Sequence, residues 1–203
     1  MRTKDVLRVA TVALAGLAVI GQPDASADKV KVEEFYGTGF RTPSVATSSE
    51  ILSDCGDGVA GTNVVLLTNT GVVTYTGIID GTGTVLTKSL ANNCASGQSH
   101  STFRVLDVFE SVSIAGRTGG AVVEIIGRAS SPAAGVTLND TTIRVLCGTG
   151  ELKGVHAEGT LTASLVAGGI ASRALQLWVH FGHRHDVGFD FLCRDLPNSE
   201  SDE

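Results

Sequence analysis

Apolar and polar positions along this chain do not recur at helical spacing over three turns anywhere in the sequence. Short runs of β-branched residues punctuated by glycine stand in their place, the mark of strands joined by tight turns. Residues 62–68 and 72–79 read as two strands parted by Asn69-Thr70-Gly71, and 83–90 follows the turn signal Asp80-Gly81. Residues 102–114 form a long run, after which Arg117-Thr118-Gly119-Gly120 turns the chain into 121–127. Runs at 141–147 and 159–166 continue the series, and 175–181 and 188–193 close it. Residues 28–58 are less regular, broken by Gly37, Gly39 and Pro43. Within the long run, Phe103, Val105, Asp107 and Phe109 share one face, and Arg104, Leu106, Val108 and Glu110 the other. Eight or nine short strands at regular spacing predict an all-β barrel or sandwich.

The N-terminal end follows a different pattern. Arg2, Lys4 and Arg8 precede an uncharged run over 9–20, and Ala25-Ser26-Ala27 supplies a small-x-small exit. Basic start, apolar middle and that exit predict a signal peptide over 1–27, cleaved between Ala27 and Asp28. The apolar run falls short of the roughly 20 residues that a membrane-spanning helix needs. The absence of a nearby cysteine argues against a lipid anchor, and no adjacent arginine pair marks the twin-arginine route. Residues 28–196 then suit a single domain, and the polar, acidic stretch 197–203 is expected to be a disordered tail.

Removal of 27 of the 203 residues takes three of the 15 basic and two of the 21 acidic side chains with it. The remaining 12 cations against 19 acids give a net charge near −7, the wrong sign for nucleic acid or an anionic membrane as partner. All four cysteines, Cys55, Cys94, Cys147 and Cys193, fall in the exported part. An even number in an oxidising compartment predicts two disulfides. Three pairings are open; Cys55–Cys94 with Cys147–Cys193 is favoured because each pair brackets a contiguous block. A zinc site is the rival reading, but no Cys-x2-Cys spacing is present.

Three segments carry a family resemblance. Tyr75-Thr76-Gly77-Ile78-Ile79-Asp80-Gly81-Thr82-Gly83-Thr84 resembles a hairpin of a large uncharacterised bacterial family of small β-barrels. Phe109-Glu110, with Ile114 to Gly120 after it, resembles that family's next hairpin. Gly148-Thr149-Gly150-Glu151-Leu152-Lys153-Gly154-Val155 resembles its closing turn, which also occurs in allene oxide cyclases and dirigent proteins. The match covers about 64–166, whereas the cysteines and the segment after Ala167 depart from it. The resemblance implies an antiparallel closed barrel of about eight strands, allene oxide cyclase-like, with an extra C-terminal strand pair. It further implies an apolar small molecule bound inside, acted on by a cyclase or isomerase that uses no cofactor, in a homo-oligomer. A shaped, dry cavity with one or two polar groups suffices for such chemistry.

Glu110 is then a candidate catalytic carboxylate facing the cavity, with Tyr75 as a hydrogen-bond donor beside it. Phe103, Phe109 and Tyr75 are candidate ligand contacts, although aromatics at such positions serve packing just as well. Glu124, in Val-Val-Glu-Ile-Ile, reads most simply as an outward acid, and His156 as exposed. The segment His180-Phe181-Gly182-His183-Arg184-His185-Asp186 places His183 and His185 on one side of a strand, a metal-binding arrangement. The bracketing Gly182 and Gly188 favour a solvated turn instead. No Gly-x-Ser-x-Gly motif is present, and Asn139-Asp140-Thr141 matches a glycosylation acceptor that has no meaning in a bacterial host. Two further functions stay open: a non-enzymatic secreted barrel that binds another protein, and a metal hydrolase built on 180–186.

Overall fold

A computed structural model describes residues 33–41, 45–60, 62–95, 98–131, 137–166, 170–182, 190–194 and 196. Nine strands form one sheet in which every pairing is antiparallel. They are β1 (Glu33–Arg41), β2 (Val45–Asp54), β3 (Asn63–Gly77), β4 (Ile79–Ala95), β5 (Gln98–Ile114), β6 (Arg117–Ser131), β7 (Thr137–Gly148), β8 (Val155–Val166) and β9 (Ile170–Phe181). Their order is β2-β3-β4-β5-β6-β7-β8-β9-β1, and β1 returns to pair with β3 from Gly37↔Gly77 to Arg41↔Val73. That pairing closes eight strands into a ring, the expected antiparallel barrel. β2 occupies the remaining length of the same β3 edge, from Val45↔Thr70 to Asp54↔Asn63.

Several boundaries differ from the sequence expectation, each for a local reason. β1 and β2 arise from the stretch that reads as irregular. Gly39 is a strand residue at a close approach, since a Cβ there would lie 2.7 Å from Cε1 of the Tyr75 ring. Asn69-Thr70-Gly71 is not a turn: β3 runs through it with unbroken pairing to β4, Asn69↔Thr87 and Gly71↔Val85. The chain reverses at Gly77, whose φ is 100°. The β5–β6 reversal is Ala115-Gly116, with φ of 52° and 80°, positive at both positions as a two-residue type I′ hairpin requires. Arg117 to Gly120, expected as the turn, belongs to β6. Of the expected C-terminal pair, one strand is present among the described residues. β9 is a stave of the ring between β8 and β1, and one helical turn, α1 (Asp190–Cys193), stands where a last strand is expected.

Along β3 to β9 alternate residues point inward, and Val73, Val85, Val105, Phe109, Val123, Ile125 and Leu175 are among those that pack as one buried cluster, whereas all of β2 is exposed. One end of the barrel is plugged. Leu152, fully buried, belongs to a short 3-10 turn, Gly150–Leu152, tucked against β6. The Thr149 N–H donates to the Gly120 carbonyl at 2.8 Å, and the Gly120 N–H donates to Thr149 Oγ1 at 3.0 Å. A Cβ on Gly119 would collide with the Thr149 carbonyl oxygen, so two of the glycine-rich segments are shaped by packing on each other. At the other end the inward positions carry smaller groups, along the rows Val65–Ala91–Ser101–Ala129 and Leu67–Ser89–Phe103–Gly127. Ser89, Ser101, Phe103 and Ala129 there are only half-buried.

Candidate functional site

Three polar side chains from three strands converge in this apolar interior. Tyr75 (β3), Asp107 (β5) and Arg173 (β9) are each buried by the inward alternation of their strands. Tyr75 and Arg173 both lie opposite Gly39 of β1, which leaves the phenol ring room between them. The Tyr75 hydroxyl donates to Asp107 Oδ2 at 2.7 Å, and Arg173 Nη1 donates to the same oxygen at 2.9 Å and to the Tyr75 oxygen. Phe109 lies against Tyr75, with ring centroids 6.0 Å apart and planes at 47°.

Burial, and then the neighbouring Asp107 carboxylate, push the Tyr75 phenol well above its ordinary pKa, so the hydroxyl stays protonated; Arg173 pulls less strongly the other way. Burial opposes the charge on Arg173, but Tyr75 and Asp107 outweigh it, and the guanidinium pKa is raised. Two interior polar atoms have no hydrogen-bond partner among the described residues, Asp107 Oδ1 and Thr87 Oγ1. They come from neighbouring inward positions, since Thr87 pairs with Val105 and Val85 with Asp107. The carboxylate thus has one oxygen doubly held and a second that can still accept a hydrogen bond inside the barrel.

Of the expected site residues, Tyr75 and Phe109 are at the centre, and Phe103 lines the end with small side chains. Glu110 is not in the interior. It is exposed on the outer face, where a bulge between Phe109 and Val112 leaves both Glu110 and Ser111 in solvent. The inward acid of β5 is Asp107. Its position on the Phe103–Phe109 face is readable in the alternation, whereas Arg173 lies in a segment with no motif. Glu124 does face outward, but it is buried between Arg104 and Arg144, accepting from each at 2.5 Å. His183, His185 and Asp186 lie outside the described residues. His180 stacks on His156 with centroids 4.9 Å apart, and no metal-holding group of three His, Cys, Asp or Glu exists among the described residues.

The disulfides are Cys55–Cys94 and Cys147–Cys193, the favoured pairing, with Cα separations of 5.4 and 6.0 Å. Two disulfides are consistent with an extracellular protein. No helix among the described residues is long and apolar enough to cross a membrane. The expected signal peptide and acidic tail lie outside the described residues.

No family model matches the chain, and no curated protein matches it. Among solved structures, the chain is similar to a protein of unknown function from the DUF3224 family of Shewanella oneidensis MR-1. The TM-score is 0.45 and the identity 18%, over 76% of this chain and 100% of that one. That neighbour comes from an uncharacterised domain family.

Proposed function

We propose that this is an exported barrel that takes an apolar small molecule into its bore and holds the ligand's polar group against Asp107. The observation that carries this reading is Asp107 Oδ1, a fully buried acceptor without a partner among the described residues, beside a neutral phenol and a fixed cation. An unpartnered carboxylate oxygen in an apolar interior costs stability, about 1–3 kcal/mol or more for a charged group, unless something else uses it. Entry is from the end lined by Ser89, Ser101, Ala129 and Phe103, since Leu152 closes the other. Phe103, Phe109 and the Tyr75 ring supply the apolar contacts.

The resemblance to cyclase and isomerase barrels extends the proposal to rearrangement of the ligand. In such a step Asp107 accepts a proton from one position and Tyr75 or Asp107 returns one to another, so the ligand's formula does not change. Export through the N-terminal segment supplies the oxidising compartment that the two disulfides require.

Native mass spectrometry of protein purified from its own host's culture medium tests the reading. The expected result is a protein carrying an apolar molecule that an Asp107→Asn variant, folded by circular dichroism, retains poorly. Bare protein in every preparation, with no mass added by any apolar extract of that medium, would leave a filled barrel acting through its surface.

A further inference from the structure

We propose a second ligand site, on the outside of the barrel, for an amphiphilic organic anion: an apolar body bearing one sulfonate- or carboxylate-type group. A groove of about 540 Å³ is lined mainly by outward residues of β3–β6, with Ser89, Phe103 and Gly127 between them, and it adjoins one of about 430 Å³ that shares Leu90 and Arg128. Strand register builds it from two adjacent cross-strand rows. One runs Lys88–Arg104–Ile126 and the other Leu66–Leu90–Thr102–Arg128. Leu90 and Ile126 are 41% and 43% exposed, so the apolar floor is uncovered while cations stand at its edges.

The charge pattern selects the occupant. Lys88 lies directly opposite Arg104, and like charges so placed destabilise a sheet. Glu124 relieves only the Arg104 side and is shared with Arg144. Among the described residues no carboxylate forms an ion pair with Lys88 or Arg128. Three cations and a single acid, Asp140, thus line a groove on a chain whose net charge is −6. Asp140 itself has a φ of 49°, at the register shift where β6 meets β7. An anionic bilayer is repelled by the overall charge, whereas a soluble amphiphile feels only the local field. The volume lies in the range that small-molecule sites occupy, roughly 300–1,000 Å³.

The probe is 1-anilinonaphthalene-8-sulfonate, with N-phenyl-1-naphthylamine as the same ring system lacking the sulfonate, each followed by fluorescence on the full chain. Expected is saturable binding of one sulfonate probe per protein, at least about tenfold tighter than the neutral analogue and weakened by salt. Lys88→Glu with Arg128→Glu should abolish the preference without lowering the melting temperature, and the single Lys88→Gln should weaken it. Asp107→Asn should leave it intact, which separates this site from the bore. Equal binding of both probes, or a preference that survives the double charge reversal, overturns the proposal. So does sulfonate binding that emerges only after removal of 197–203, because the occupant is then the chain's own acidic end. A dimer that the charge reversal dissociates, with no probe bound, assigns the face to a second copy and overturns it too.

Discussion

The hydroxyl of Tyr75 and the carboxylate of Asp107 meet at 2.7 Å inside the barrel, although 32 residues separate them along the chain. Neither would sit there alone. A buried carboxylate is expensive, and here Arg173 balances its charge while the phenol shares the same oxygen. The barrel therefore holds a neutral but polar centre in an apolar lining, with Asp107 Oδ1 left without a hydrogen-bond partner among the described residues.

Removal of different members of this group should not cost the same. Tyr75→Phe deletes one donor and leaves the ion pair, a loss of about 1–3 kcal/mol. Asp107→Ala strands a buried guanidinium and should cost about 3–5 kcal/mol. Joint replacement, Asp107→Leu with Arg173→Met, should recover part of that loss because no charge remains inside. Urea denaturation of the three variants decides it; an Asp107→Ala no worse than Tyr75→Phe would mean that the guanidinium finds solvent.

Alkaline pH should act through the same phenol. Its folded pKa is raised and its unfolded pKa is ordinary, about 10, so the native state holds the proton more tightly. The contribution is complete below the unfolded value and falls away as pH rises past it toward the folded one. Stability should decline above about pH 10 with a slope of one proton, and Tyr75→Phe should lack that part of the slope. Tyrosinate absorbance during titration should show Tyr75 ionising only together with loss of the fold. Reversible ionisation of both tyrosines at their usual pH would contradict the buried hydrogen bond.

The sequence pattern is enough for the barrel and for one wall of its site. Alternation in β5 places Asp107 with Phe103 and Phe109, and the acid follows those aromatics inward. The opposite face misleads because it too is apolar. Leu106 and Val108 face outward but pack with the α1 cluster around Cys147 and Cys193, so Glu110 reads as a neighbour of an interior that is not there. Arg173 shares its strand face with Leu175 and Leu177, yet a lone arginine at the end of an apolar face normally extends to solvent. Only closure of β9 onto β1 turns it inward. Gly37 and Gly39 read as breaks for a related reason, since the ring and the side chain that exclude a Cβ come from β3 and its turn.

Two glycines of the β5–β6 segment should respond unequally to alanine. Gly119→Ala drives a methyl into the Thr149 carbonyl, a backbone atom that cannot yield without moving the Leu152 turn. Overpacking of that kind costs about 1–3 kcal/mol, occasionally more. Gly116→Ala meets nothing within 4 Å and suffers only the strain of a φ of 80°, about 1 kcal/mol. Thermal unfolding of the pair should rank Gly119→Ala below Gly116→Ala. The reverse order would mean that the turn, not the plug, limits stability at this end.

The disulfides separate loop closure from packing. They join residues 39 and 46 apart, so chain entropy assigns each about 4 kcal/mol, nearly the same. Their surroundings differ. Cys147 and Cys193 are 7% and 6% exposed and gather Val122, Leu146, Leu192 and Leu196 around them, whereas Cys55 and Cys94 are half-buried. Replacement of Cys147 and Cys193 by alanine should therefore release α1 from the outer wall as well as opening a loop, and should cost more than the same change at Cys55 and Cys94. Under mild reductant the Cys55–Cys94 bond should open first, because a thiolate reaches it without disturbing the barrel. Differential alkylation with peptide mass mapping reads the order, and denaturation of the two double variants reads the costs. Equal costs would show that α1 stays docked by its apolar contacts alone and that the covalent link adds only the entropy of closure.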